Sequence, residues 1–211
     1  TGWGNMGLKH ARLLLGFARA FLFLSGCSDH ESLKENTIKT AELSQRESGV
    51  IGQASDFYFL YDFSAGEAFN SVSVWAESYE KGKKSEVVLG PLSTDLQEKE
   101  GYLFFSKNRA PENAEESLFN LGIGEGDSVS SGNYTAYFTS EAEKAHVAQI
   151  KTDFAEEGIT IKGKHILGAY ASSDENSLSS ISLDPERDVE EQLEELEGYE
   201  SVYVFMAEFK K

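Results

Sequence analysis

One cysteine, Cys27, stands in a chain of 211 residues. It follows Leu24-Ser25-Gly26 at the end of an apolar run. A single cysteine excludes an internal disulfide and a metal site built from several thiolates. A second set of residues with chemical potential is Trp75 and Tyr79. With the period of two of a strand they share one face with Ser73 and Glu77, opposite Val72 and Val74. If that face is open, the two rings offer a platform for a sugar or a peptide.

Other spacings suggest chemistry and fail on context. Ser78-Tyr79-Glu80-Lys81 fits the serine-x-x-lysine spacing of acyl transfer, but that chemistry puts the serine at a helix start and needs a later Lys-Thr-Gly. Here the serine ends a strand and runs into a turn, and no Lys-Thr-Gly follows. Gly122-Ile123-Gly124-Glu125-Gly126 has the wrong spacing for a phosphate loop and reads as a strand end. His146 and His165 are the only histidines of the body, and nothing in the sequence pairs them. Asp127, Asn133, Asp174, Glu175 and Asn176 are rich in oxygen without the Asp-x-Asp-x-Asp-Gly order of a calcium loop, leaving room for a weak site at most. No metal and no cofactor is expected. Glu186, Asp188, Glu190, Glu191, Glu194, Glu195 and Glu197 face one Arg187 and read as a solvated surface. Paired carboxylates for hydrolysis stay open, because their separation is set in space and not in sequence.

The leader places Cys27. After Met6 come Lys9, His10 and Arg12, then the apolar stretch Leu13 to Leu24, interrupted by Arg19. As a helix this stretch spans about 18 Å, well short of the roughly 30 Å hydrocarbon core, so it suits a signal peptide better than a membrane anchor. Residues 6–27 resemble the leader of bacterial lipoproteins, with Leu24-Ser25-Gly26-Cys27 as the lipobox. That resemblance implies cleavage after Gly26 and lipid on Cys27. Two acyl chains, each contributing about 0.8 kcal/mol per buried CH₂, would hold a protein stably on the extracytoplasmic face of a cell membrane.

The expected organisation is a signal peptide over 1–26, a lipidated cysteine and flexible tether over 27–50, and one globular domain over 51–211. In the tether, Leu33, Ile38 and Leu43 recur every five residues, which matches neither helix nor strand, with a frayed helix as the alternative. As a coil it would reach about 26 Å. The net charge is −17, from 19 basic and 36 acidic residues. No basic stripe is present to neutralise phosphates, which excludes nucleic acid as a partner.

The body reads as mainly β, sandwich-like and mostly antiparallel, with one or two helices, and α+β as the alternative. Fourteen Phe, nine Tyr and nineteen Gly against three Pro favour strands joined by glycine turns. Phe57, Phe59, Tyr61 and Phe63 alternate on one strand face. The segments 69–79 and 86–89 form a hairpin with Gly82 at a position of positive φ, and Pro91 ends the second strand. Tyr102-Leu103-Phe104-Phe105, Leu118 to Ile123 and Tyr134 to Phe138 follow as strands. Residues 140–157 suit helix and strand equally. Ile159, Ile161 and His165 to Tyr170 read as strand. Asp184-Pro185 starts a helix with the stripe Val189, Leu193, Leu196 and a stop at Gly198. Val202 to Ala207 is an interior strand that needs cover on both faces.

Val74-Trp75, Tyr79-Glu80-Lys81-Gly82-Lys83, the Glu-rich segment and the Val-Tyr-Val strand are together similar to small uncharacterised lipoproteins of Gram-positive bacteria, which implies a shared fold. The function these readings point to is a lipid-anchored binding or accessory module of the cell envelope, with an envelope protein or a glycan as partner. The alternative is a small envelope hydrolase working through acidic residues.

Overall fold

The computed structural model describes residues 33–109, 116–137, 148–173 and 180–211. The leader, Cys27, His30, Phe138, His146 and Asp174 to Asn176 lie outside the described residues, as does the first half of the stretch that suited helix and strand equally.

Eleven strands and one α-helix make up the described fold: β1 Thr37–Thr40, α1 Gln45–Ala54, β2 Ser55–Ser64, β3 Ser71–Glu80, β4 Lys83–Asp95, β5 Glu100–Asn108, β6 Glu116–Glu125, β7 Ser128–Tyr137, β8 Ala148–Asp153, β9 Ile159–Thr160, β10 Lys164–Ser173 and β11 Ser201–Lys210. They form a six-stranded sheet, β7-β6-β5-β2-β1-β9, and a five-stranded sheet, β4-β3-β11-β10-β8. The described pairings are antiparallel, so the mainly β reading holds.

Alternation builds the core. Phe57, Phe59, Tyr61 and Phe63 all point inward from β2. They meet Tyr170, Phe205 and Phe209 of the opposite sheet, with Phe57 stacked on Tyr170 at 4.1 Å and Phe63 edge-on to Phe209 at 5.4 Å. Offset and edge-to-face rings of this kind add about 0.5–1.5 kcal/mol per pair beyond their buried area.

A second, smaller core lies on the outer face of the five-stranded sheet. There Val202, Val204 and Met206 are covered by Ile181, Leu183, Val189, Leu196 and Tyr199. β11 is therefore buried on both faces, as its unbroken apolar run requires.

Three expectations are corrected. Residues 37–50 are not a tether. Ile38 is wholly buried and β1 pairs with β2 and β9, while α1 is started by a capping box in which Ser44 and Glu47 exchange hydrogen bonds. With no buried residue in α1, its caps stand in for the apolar stripe that a sequence reader looks for. The segment after Asp184 is not an α-helix but two 3₁₀ turns, Val189–Glu191 and Leu193–Leu196. Asp184 Oδ1 accepts the Glu186 N–H, and Gln192 accepts from the Asp184 N–H while donating back to the Asp184 carbonyl. These side chains satisfy the backbone groups that helical turns would otherwise use.

Pro91 does not end β4. It sits after Gly90 (φ 114°), where the register of β4 against β3 shifts, and on the sheet edge it removes no ladder bond. Within 140–157, residues 148–153 are strand. The β3–β4 turn follows expectation: Lys81 and Gly82 both have positive φ, 47° and 72°, the two-residue hairpin geometry that matches strand twist.

Candidate functional site

β3 alternates as read. Ser73, Trp75, Glu77 and Tyr79 share its outward face, while Val72, Val74 and Ala76 point to the main core. That face is not open. Tyr79 belongs to the smaller core and is wholly buried, and Trp75 is half-buried against it. The stacking platform proposed for Trp75 and Tyr79 is thereby corrected, because the segment 181–199 covers the face on which it depended.

What the face holds is a carboxylate cage. Trp75 Nε1 donates to Glu77 Oε1 at 3.0 Å, and the Tyr79 hydroxyl donates to Glu77 Oε2 at 2.6 Å. Lys84, from the neighbouring strand, places its Nζ 2.9 Å from Glu77 Oε2 and 2.9 Å from Glu190 Oε1. Lys84 thus joins the sheet to the 3₁₀ segment that covers it.

Burial alone would raise the Glu77 carboxyl, but hydrogen bonds from Tyr79, Lys84 and Trp75 outweigh it and hold the group below its ordinary value. Burial and the Glu77 charge push the Tyr79 phenol well up. Burial pulls the Lys84 ammonium down, and the two carboxylates more than reverse that. The hydrogen bond from Lys84 lowers Glu190. A carboxylate already taking three donors and held ionised is a poor general acid or base. The cage works as a structural anchor.

Two more lysines repeat the pattern. Lys162 pairs with Glu186 and Lys164 with Asp188, each at 2.9 Å. The acids of this segment are therefore not simply a solvated face. Three of them meet lysines, Lys84 and Lys164 on the five-stranded sheet and Lys162 in the loop before β10, although exposure limits each such pair to about 0–1 kcal/mol. His165 lies beneath the same segment, 2% exposed, and its Nε2 accepts the Lys162 N–H at 3.0 Å. Burial lowers it most, the Glu186 charge works to raise it, Lys162 lowers it and the Pro185 backbone raises it; the result lies below the ordinary value.

A cleft of about 620 Å³ opens at the β3–β4 tip and is lined by Glu80, Lys81, Lys83, Lys84, Ser85, Glu86 and Glu200. A smaller one of about 270 Å³ lies at the opposite end, where Glu125 Oε2 accepts the backbone N–H groups of Gln97 and Glu98. Among the described residues, no group of three or more His, Cys, Asp or Glu is placed to hold a metal ion, and no helix is long and apolar enough to cross a membrane.

Ser78, of the serine-x-x-lysine spacing, is buried on the inward face and so turned away from the Glu77 cage. Sequence reasoning placed Glu77 on the right face but did not foresee Lys84 and Glu190 closing on it. The 106 positions between those two residues leave no local signal.

The YgaN domain family model matches residues 37–209, from the first residue of β1 to the penultimate residue of β11. No curated protein and no solved structure matches the chain.

Proposed function

The chain belongs to the YgaN domain family, and from that premise we propose that it is a binding or accessory module of the bacterial cell envelope, carried on the extracytoplasmic face by lipid on Cys27. The observation that carries this reading is the lone thiol after Leu24-Ser25-Gly26, ten positions ahead of Thr37, where β1 begins. As a coil a link of that length reaches about 18 Å, against about 26 Å for a tether running to residue 50. The domain would then work close to the membrane surface.

A binding rather than catalytic role is supported by the Glu77 cage, whose carboxylate is committed to three donors, and by the open cleft at the β3–β4 tip. The partner is an envelope protein or a glycan; a net charge of −17 disfavours nucleic acid.

The test is Cys27→Ala in cells fed a labelled fatty acid. The unaltered chain takes up label and sediments with membranes; the variant is unlabelled and soluble. A variant that still labels ends the lipoprotein reading.

A further inference from the structure

Among the described residues each sheet ends in two edge strands, β7 and β9 in one and β4 and β8 in the other. The outer backbone groups of an edge invite another strand, and folds commonly guard them with charge, proline, a bulge or shortness. Three of the four edges are guarded. β9 has only two residues. β8 has six, with Lys151 and Asp153 among them, and Lys151 reaches across to the Tyr58 carbonyl. β4 carries Lys83, Lys84, Glu86, Pro91 and Asp95, and its register against β3 shifts twice.

β7 has none of these guards. Its ten residues, Ser128–Tyr137, include no charge and no proline, and they pair with β6 from end to end without a register shift. In a chain of net charge −17, an uncharged edge of this length is a gap in the repulsion that keeps copies apart. Its outward face, Val129, Ser131, Asn133, Thr135 and Tyr137, is exposed throughout, and even Ser130, Gly132 and Tyr134 of the inward face are only half-buried. Val129 is 61% exposed and Tyr137 69%, unusual for side chains so large and apolar. The outward face is also symmetric. Asn133 stands at its centre, the hydroxyls of Ser131 and Thr135 lie two positions to either side, and Val129 and Tyr137 lie four.

We propose that β7 pairs with β7 of a second copy of this chain, antiparallel about a two-fold axis at Asn133, so that two six-stranded sheets run on as one. Asn133 then faces Asn133, Ser131 faces Thr135, and Val129 faces Tyr137. Amide meets amide, hydroxyl meets hydroxyl and a β-branched side chain meets a ring, the kinds of pair that stabilise antiparallel strands. An axis at Ser131 would set Val129 against Asn133, and one at Thr135 would set Tyr137 against Asn133, so either loses the apolar pairs. Alternate residues of an antiparallel edge direct N–H and C=O outward. Backbone bonds therefore supply the attraction and the side-chain pairs fix the register. The same patch on both copies makes a closed dimer rather than a growing fibre. The inference goes beyond the envelope reading and does not depend on Cys27, so its failure leaves that reading intact.

Analytical ultracentrifugation of the full chain over a concentration series tests it. The unaltered chain should form a dimer with a dissociation constant below about 1 mM. Asn133→Lys and Asn133→Glu each bring like charges face to face at the axis, and each alone should weaken the dimer by at least about tenfold. Mixed together, the two variants should dimerise again, because only an axis at residue 133 sets the new lysine against the new glutamate. Circular dichroism shows whether each variant folds. If one does not, hydrogen exchange on the unaltered chain decides: alternate β7 amides should gain protection as concentration rises, and unchanged exchange overturns the inference. It is also overturned by an unaltered chain that stays monomeric, which would leave the edge to another protein's strand. Single variants that dimerise normally overturn it by placing the contact elsewhere, and a mixture that stays monomeric overturns it by removing the axis.

Discussion

The Tyr79 hydroxyl donates to Glu77 Oε2 at 2.6 Å although both side chains hang from the same strand face, two residues apart. The contact turns an acid in the middle of a buried face into the acceptor around which Trp75 and Lys84 are also arranged.

Replacing Glu77 by Ala leaves a buried phenol, an indole N–H and an ammonium without their shared acceptor. Hydrogen bonds to a charged group contribute about 1.5–3 kcal/mol each, and losing one member of such a set strands the others. We predict a loss of about 2–4 kcal/mol for Glu77→Ala in urea unfolding followed by Trp75 fluorescence. A loss below about 0.5 kcal/mol would mean the cage does not hold the covering segment.

Acid should undo the same cage. The folded carboxyls of Glu77 and Glu190 lie below their ordinary value of 4.5. Their contribution is therefore complete above that value and is lost as pH falls through the lower, folded values. Between pH 5 and strong acid, roughly, the unaltered chain should lose more unfolding free energy than Glu77→Gln does. Parallel stability curves for the two proteins would contradict this.

His165 acts in a higher range. Its folded value lies below the ordinary 6.5, so the unfolded chain takes up a proton there before the folded one. Its stability contribution is whole above 6.5 and declines as pH drops below it. Protonation would also turn the acceptor of the Lys162 N–H into a donor. His165→Gln should remove the dependence of stability on pH near neutrality while leaving the acid loss due to Glu77. Amide exchange over residues 181–199 at two pH values on either side of 6.5 reports the same effect locally.

Gly168 faces the centre of the main core. A Cβ added there would meet the Phe59 ring at 2.7 Å and the Tyr61 hydroxyl at 2.8 Å, and Tyr61 is already fixed by its bond to the Leu167 carbonyl at 2.9 Å. Gly168→Ala should therefore destabilise by about 1–3 kcal/mol through overpacking, read as a lowered melting temperature. Unchanged melting would show that the rings can give way.

How far the sequence revealed this fold depended on whether the deciding interactions were local. β2 and β11 were legible because a face of aromatics and an unbroken apolar run are set by neighbouring residues. The Lys81-Gly82 turn was legible because only a few residue types accept positive φ. β1 was hidden, since four residues around Ile38 carry no period and owe their strand to β2 and β9. Asp184-Pro185 invited a helix because its cap residues were right; Gln192, eight positions on, takes the same backbone groups. Trp75 and Tyr79 were placed on the correct face, but whether that face was open depended on a segment about a hundred residues later.

The position of β11 bears on the order of events during synthesis. It lies between β3 and β10, and both of those are made before it. Until residues 201–210 emerge, β3 has no neighbour on that side, and the two apolar faces meeting at Val204 and Phe205 cannot close. The five-stranded sheet is therefore assembled late, across contacts far apart in the chain, which slows folding.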